Sequence, residues 1–377
     1  MRFNLGVLCL SVDTAIVLAG GYATRLRPLT LTRPKALLPV LGKPILDWIL
    51  EGLKSAGVYR VFMSVRYLAD MIKSRYGDGG GLGIKIEYVE EINPLGDAGP
   101  VPLIVNKYGI KDPFLVVYSD IFSNINFAEV IKHHLSNSGL VTIALTKVED
   151  PSRYGVAVLD ADNKVVSFVE KPQGVVSSNL INAGVYVFQP QALKYFPSKT
   201  PSKLAIDVIP KVVKDGELYG YVHEGLWLDI GVPKDYLEAN IKALKHFMPE
   251  GHVSNEAELS EDATIIQPSF IDRNVKVGKA SVIGPYAVVG YKTLIGSNSR
   301  VKNSVLLNNV VLEPAAHIEY SVVGEGTHIG KWVRISEGCV LGDEVTIGDE
   351  VYIAKNTVIL PHKEVNENVE TPGKILL

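Results

Sequence analysis

Two different spacings of apolar residues divide the chain. From residue 14 to about 243, short β-branched runs alternate with patterns of helical period. Ala15–Ala19, Val61–Val65, Lys85–Val89, Phe114–Tyr118, Val141–Thr146 and Gly184–Phe188 predict strands. After the first of them, "PILDWILEGLKSAGV" sets Ile45, Leu46, Ile49, Leu50 and Leu53 on one helical face, opening at Pro44 and stopping at Gly57. This alternation predicts an α/β fold, an open Rossmann-like sheet with helices on both faces.

A period of six governs the last third. Val253, Leu259, Ile265, Ile271, Val277, Ile283, Val289, Ile295, Val301 and Leu307 follow at that spacing, and Val323, Ile329, Ile335, Leu341, Ile347, Ile353 and Ile359 resume it. Glycine often follows the aliphatic residue, as in Ile283-Gly284 and Ile347-Gly348. Such hexapeptide repeats predict a parallel β-helix, each repeat forming one side of a coil. The break between Leu307 and Val323 predicts a loop or an irregular coil. The expected organisation is a domain over 14–243, a linker over 244–252 near "ALKHFMPEG", and the β-helix with its C-terminal tail over 253–377, residues 363–377 covering the last coil.

One turn changes the picture from fold to chemistry. In "LAGGYATRLRPLTLTRPKALLPV", residues 18–40, an apolar strand breaks at Gly20-Gly21, and Arg25, Arg27, Arg33 and Lys35 follow within a few residues. Glycines admit a tight turn and let backbone N–H groups approach a phosphate. Guanidinium forks and an ammonium then suit a polyphosphate. The pattern is neither G-x-G-x-x-G nor a P-loop. Two further apolar stretches end in carboxylates: "FLVVYSD" at Asp120 and "GLWLDIGVP" at Asp229. Strand ends are where an open α/β sheet places ligand groups, and two carboxylates suit Mg²⁺ that also takes phosphate oxygens. "FVEKP" adds Glu170 and Lys171 on a strand edge.

Composition narrows the class. The 377 residues carry 38 basic and 41 acidic side chains, a formal charge of −3. That offers no general basic field for nucleic acid or a membrane surface, so anion binding must be local. Cys9 and Cys339 lie far apart and match neither a disulfide framework nor a zinc pattern, which points to a reducing cytoplasm. No apolar run reaches the length of a membrane span. The opening "MRFNLGVLCLSVD" reads as an extension rather than a signal peptide, because the core strand "TAIVLAGG" follows at once.

Taken in order, "LAGGYATRLRPLT…RPKALLPV", "PLGDAGP", "YSD", "SRYGVAV", "FVEKP", "INAGVYVF" and "LWLDIGVPKDYL" resemble the sugar-phosphate nucleotidylyltransferases, or nucleotide-sugar pyrophosphorylases, from about residue 14 to 240. The repeats resemble the left-handed β-helix many members append. "GKWVRISEGCVLGDEVTIGDEVYIAKNTVILPHK" is most similar to the end of mannose-1-phosphate guanylyltransferases. The resemblance implies transfer of a nucleotidyl group from an NTP to a sugar 1-phosphate, with GTP and mannose 1-phosphate the expected pair. It implies that Arg25 and Lys35 hold the triphosphate and departing pyrophosphate, and that Lys171 grips the sugar phosphate. Mg²⁺ would sit on Asp120 and Asp229. Gly20, Gly21 and Gly96 would line the nucleotide, with Glu91 near the base. Gly155, Glu170 and Asn182 would read the sugar.

Three positions depart from the family pattern. Ala23 stands where a second glycine is usual, a strained choice if that position needs positive φ. Asp97 replaces a small hydroxyl residue, and Tyr118 replaces an asparagine before "SD". Other readings are a glucose- or amino-sugar-specific uridylyl- or thymidylyltransferase, and a regulatory subunit that binds nucleotide-sugar without turnover. A β-helix that also transfers acyl groups, with His317, His328 or His362 as base, lacks that group's asparagine-tyrosine signature. His133 and His134 are expected on a solvated helix face. Flat β-helix faces predict a homo-oligomer.

Overall fold

The computed structural model describes residues 12–174 and 176–377, so the extension and Cys9 lie outside the described residues. The chain divides into two compact units. One comprises the described residues up to Gly21 together with Leu46–Trp227; the other joins Tyr22–Ile45 to Leu228–Leu377.

The first unit is a nine-stranded mixed sheet. Its strands are β1 (Thr14–Ala19), β2 (Arg60–Val65), β3 (Lys85–Glu90), β4 (Phe114–Tyr118), β5 (Val141–Lys147), β6 (Gly155–Leu159), β7 (Val165–Glu170), β8 (Leu180–Phe188) and β9 (Leu218–His223). β3, β2, β1 and β4 lie side by side and parallel. β8 then runs antiparallel to β4, and it pairs antiparallel with both β5 and β6. The six predicted strands are all present. β6, β7 and β9 add to them. Ile16, Phe62, Phe114, Val116, Ile143 and Tyr186 sit in the core between sheet and helices.

The predicted helix forms over Ile45–Ser55 and buries Ile45, Leu46, Ile49, Leu50 and Leu53. His134 corrects the expectation of a solvated pair. The helix Phe127–Ser136 buries Phe127, Val130, Ile131 and His134, so this histidine completes an apolar stripe of helical period. Its Nδ1 lies 2.9 Å from Thr142 Oγ1, and burial pushes its pKa down to about 4.

In the second unit, three parallel sheets of short strands wind a three-sided coil, the expected left-handed β-helix. Val253 pairs with Ile271 and Ile271 with Val289, so a coil takes 18 residues. The break in the repeat is not a loop. Val289 pairs with Leu306, and Val301 with Ile318, so these coils take 17 residues. The lost residues fall at two tightened corners, Val301 to Leu306 and Ile318 to Val323, where Asn303 and Tyr320 take φ of 47°. Leu306, Leu312 and Ile318 are the inward residues there. The tail does more than cover the end: Val358 pairs with Ile375, and Ile359 with Leu376.

A second inward position lies two residues before each aliphatic. It holds Ser281, Thr293, Ser299, Ser321 and Thr327, all fully buried. Their hydroxyls donate to carbonyls of the next coil, Thr293 to Leu307 and Thr327 to Gly342 among them. Cys339 occupies the same position, and burial pushes its thiol up to about 11, which makes it unreactive. Among the described residues, no helix is long and apolar enough to cross a membrane.

Candidate active site

The parallel order β3-β2-β1-β4 creates a switch point between β1 and β4, whose carboxyl ends lie side by side with Leu18 opposite Tyr118. Ser119 N and Oγ both donate to Leu18 O, at 3.2 and 2.7 Å. Gly20-Gly21 and Ser119-Asp120 therefore emerge from neighbouring strands at the edge where such sheets bind ligands. Gly21 has no atom within 4 Å of the place a Cβ would occupy, so its backbone is open to approach.

Gly20 serves a different purpose. A Cβ there would meet Glu91 Oε1 at 2.5 Å. Glu91 follows β3 and accepts from Ser64 Oγ at 2.7 Å and from Leu95 N at 3.1 Å. It thereby fixes the loop "INPLGDAG" to the strand ends. Gly96, at φ 75°, packs against the Ser202 backbone, where any side chain would collide. Ser202 N and O complete the bracket through Leu95 O and Ala98 N.

The two departures at Asp97 and Tyr118 are partners. Tyr118 OH donates to Asp97 Oδ2 at 2.8 Å, and Leu204 N donates to Oδ1 at 2.7 Å. Burial pushes the Asp97 carboxyl up despite those donors. The Tyr186 ring lies 6.0 Å from that of Tyr118, and its hydroxyl accepts from Asn182 Nδ2 at 2.6 Å. Asn182 Oδ1 accepts from Gly184 N at 2.9 Å, locking a bulge in β8. Sequence reasoning missed Tyr186; its place four residues after Asn182, on the same strand, was the available signal.

Gly155 lies opposite Glu170 across β6 and β7, and a Cβ at Gly155 would press on Phe168 and Glu170. Burial raises the Glu170 carboxyl, Lys171 lowers it and Asp97 raises it further. Lys171 is exposed, its backbone at φ 47° and its N–H bonded to Tyr154 O at 2.9 Å. Gly20, Glu91 and Gly96 thus gather on one loop system, and Gly155, Glu170 and Asn182 lie on the paired strands β6, β7 and β8, all within the sheet unit.

Arg25, Lys35 and Asp229 belong to the second unit. Lys35 Nζ lies 4.0 Å from Asp229 Oδ1, both side chains largely buried. Ala23 has φ 46° and ψ 43°, so this position does require the left-handed region. Arg33 corrects the reading of four cations around one phosphate. Its Nη2 lies 2.5 Å from Asp343 Oδ2 and 2.9 Å from Glu325 Oε2. Burial lowers the Arg33 pKa, but the two carboxylates outweigh that and raise it.

A match to the nucleotidyl transferase family covers residues 14–246. The chain belongs to the nucleotidyl transferase family. Residues 265–375 match the GMPPB C-terminal domain. A protein of Sulfolobus acidocaldarius designated a mannose-1-phosphate guanyltransferase is 44% identical over 262 residues, covering 69% of this chain and 71% of its own length. The mannose-1-phosphate guanylyltransferase catalytic subunit beta of Danio rerio is 42% identical over 226 residues, 59% of this chain and 62% of that one. Its counterpart in Drosophila pseudoobscura is 41% identical over 225 residues, 59% and 60%. The match therefore spans less than two thirds of these animal relatives. A Bacillus anthracis crystal structure designated a glucose-1-phosphate thymidylyltransferase shares the fold at TM-score 0.56 and 24% identity, over 61% of this chain and 94% of that one.

Among the described residues, no group of three or more His, Cys, Asp or Glu side chains could hold a metal ion. A Mg²⁺ that takes one or two carboxylates and completes its shell with substrate phosphates and water needs no such group.

Proposed function

We propose that this nucleotidyltransferase joins GTP and mannose 1-phosphate to give GDP-mannose and pyrophosphate. The observation that carries the reading is the switch point, where Gly20-Gly21 and Ser119-Asp120 leave adjacent parallel strands. The names of the relatives supply the substrate pair.

A phosphate oxygen of the sugar phosphate attacks the α-phosphorus of the NTP. The new P–O bond forms as the bond from that phosphorus to the bridging oxygen breaks, and pyrophosphate leaves with the electron pair. The attacking phosphate is already ionised at neutral pH, so no general base is needed. Catalysis rests on positioning and charge neutralisation. Arg25 and Lys35 hold the triphosphate and then the pyrophosphate; Lys171 holds the sugar phosphate. The backbone of Gly20, Gly21 and Gly96 lines the nucleotide, and Glu91 fixes the loop beside the base. Glu170, Asn182 and the Gly155 backbone read the sugar hydroxyls. Asp120 and Asp229 would hold Mg²⁺, which when bound neutralises charge at the α-phosphate. The protein is expected in the cytoplasm as a homo-oligomer, with domains over 14–243 and 253–377.

Pyrophosphate release with Mg²⁺, measured over four NTPs and mannose, glucose, N-acetylglucosamine and glucosamine 1-phosphates, tests this. Release greatest with GTP and mannose 1-phosphate is expected. Another favoured pair would move the substrate, and silence with every pair would overturn the transferase reading.

A further inference from the structure

Asp343 lies at a β-helix corner that recurs one repeat later. Asp343 Oδ1 accepts from Glu325 N at 2.8 Å, as Asp349 Oδ1 accepts from Lys331 N at 2.8 Å. Asp349 is exposed and has no cation partner among the described residues, so the corner itself needs only one carboxylate oxygen. Asp343 is buried, and its other oxygen receives Arg33 and Thr32 Oγ1, each at 2.5 Å. Glu325, one coil earlier, closes on the same guanidinium. Two coils thus converge on an arginine about 310 residues away in sequence.

The far end of that segment is tied as well. Tyr236 OH donates to Pro39 O at 2.5 Å, and Leu41 N donates to Asn240 Oδ1 at 3.1 Å, both partners lying on the helix Pro233–Phe247. Lys35 stands between the two anchors, beside Asp229.

We infer that the β-helix is a positioning element for phosphate binding: Asp343 and Glu325 hold Arg33 and Thr32, and so fix Lys35 where the triphosphate is gripped. This rests on the proposed role of Lys35. Arg33, Asp343 and Glu325 touch no substrate in this scheme. They act by narrowing the conformations open to residues 32–41, and a small displacement of a positioning group can cost orders of magnitude in rate.

The test uses the full chain with two variants. R33M/D343L replaces the buried pair by apolar groups; it leaves the part-exposed Glu325 carboxylate to water and the Glu325 N–H without its acceptor, so its fold is checked by thermal unfolding first. E325Q removes only the more exposed carboxylate, and it stands as the test if the double variant fails to fold. For R33M/D343L we expect kcat to fall roughly tenfold or more and KM for the NTP to rise severalfold. KM for the sugar phosphate should stay within about twofold, since a merely structural loss would not split the constants this way. E325Q should show the same split, more weakly. Amide exchange over residues 32–41 should quicken in both variants while that of β1 and β5 stays unchanged. A folded R33M/D343L, or in its absence E325Q, with wild-type constants and wild-type exchange over 32–41 would overturn the inference. Wild-type protein silent with every substrate pair would instead remove the transferase reading. Exchange over 32–41 would then decide by itself whether the β-helix orders this segment.

Discussion

The residues proposed to act on substrate are found in both the sheet unit and the unit that contains the β-helix, and the two units differ in which roles they carry. The groups assigned to base and sugar, Gly20, Gly21, Glu91, Gly96, Gly155, Glu170 and Asn182, all lie in the sheet unit. The phosphate and metal groups are divided: Asp120 and Lys171 in the sheet unit, Arg25, Lys35 and Asp229 in the unit that contains the β-helix. The units also treat buried polar groups differently. In the β-helix several of them recur at the inward position two residues before the aliphatic and bond to the next coil, Asp343 being an exception. In the sheet unit Asp97, His134 and Glu91 each have a private arrangement. A repeat architecture leaves few positions free for chemistry, whereas irregular strand ends supply many.

The largest effect should come from the charges assigned to the second unit. Asp229→Asn is expected to lower turnover on the order of a hundredfold or more with an unchanged melting temperature, measured by pyrophosphate release and thermal unfolding. An active variant would take Asp229 out of the metal role and weaken the division drawn above.

His134 should dominate the acid sensitivity of the sheet unit. Its folded pKa of about 4 lies below its unfolded value near 6.5, so the neutral form is the one folding favours. Stability is fully present above about pH 6.5 and is lost as pH falls toward 4, by about 3 kcal/mol at most. Denaturant unfolding from pH 7 to 4 should show this loss, and His134→Asn should remove most of it. An unchanged pH profile in that variant would place the acid sensitivity elsewhere.

Asp97 has the opposite sign. Its folded pKa is raised, so it favours folding below its unfolded pKa, and that advantage is lost as pH rises through the folded value. Asp97→Asn can still accept from Leu204 N and bond Tyr118. It should therefore gain melting temperature relative to wild type as pH rises from 4 to 8. A constant difference across that range would mean that Asp97 does not titrate in the native state.

The smallest effect concerns Ala23. A left-handed alanine costs about 1 kcal/mol, part of which glycine returns through the entropy of the unfolded chain. Ala23→Gly should raise the melting temperature by about 2 °C, and no more, by differential scanning calorimetry.

Several of these features were readable in advance and several were not. The strain at Ala23 follows from one residue type at one turn. The stripe containing His134 was readable too, since it lies three and four residues beyond Ile131 and Val130. The partnership of Asp97 with Tyr118 was not, although both depart from the family pattern, because nothing local says that a loop residue and a strand end 21 residues apart meet. The tightened corners at Asn303 and Tyr320 showed only as a lost period, since a single-residue deletion at a turn is indistinguishable in sequence from a loop.

By itself the sequence determined the two architectures, because alternation and the six-residue period are local consequences of how strands and coils bury aliphatic side chains. It also determined the motifs that mark the family, whose backbone demands at Gly20 and Gly96 restrict the residue type. Only the tertiary structure decided what each charge does. Arg25, Arg33 and Lys35 look alike along the chain, yet Arg33 is held by Asp343 and Glu325 on the β-helix. An ion pair requires only opposite charge and proximity, and proximity across some 310 residues carries no local periodic signature.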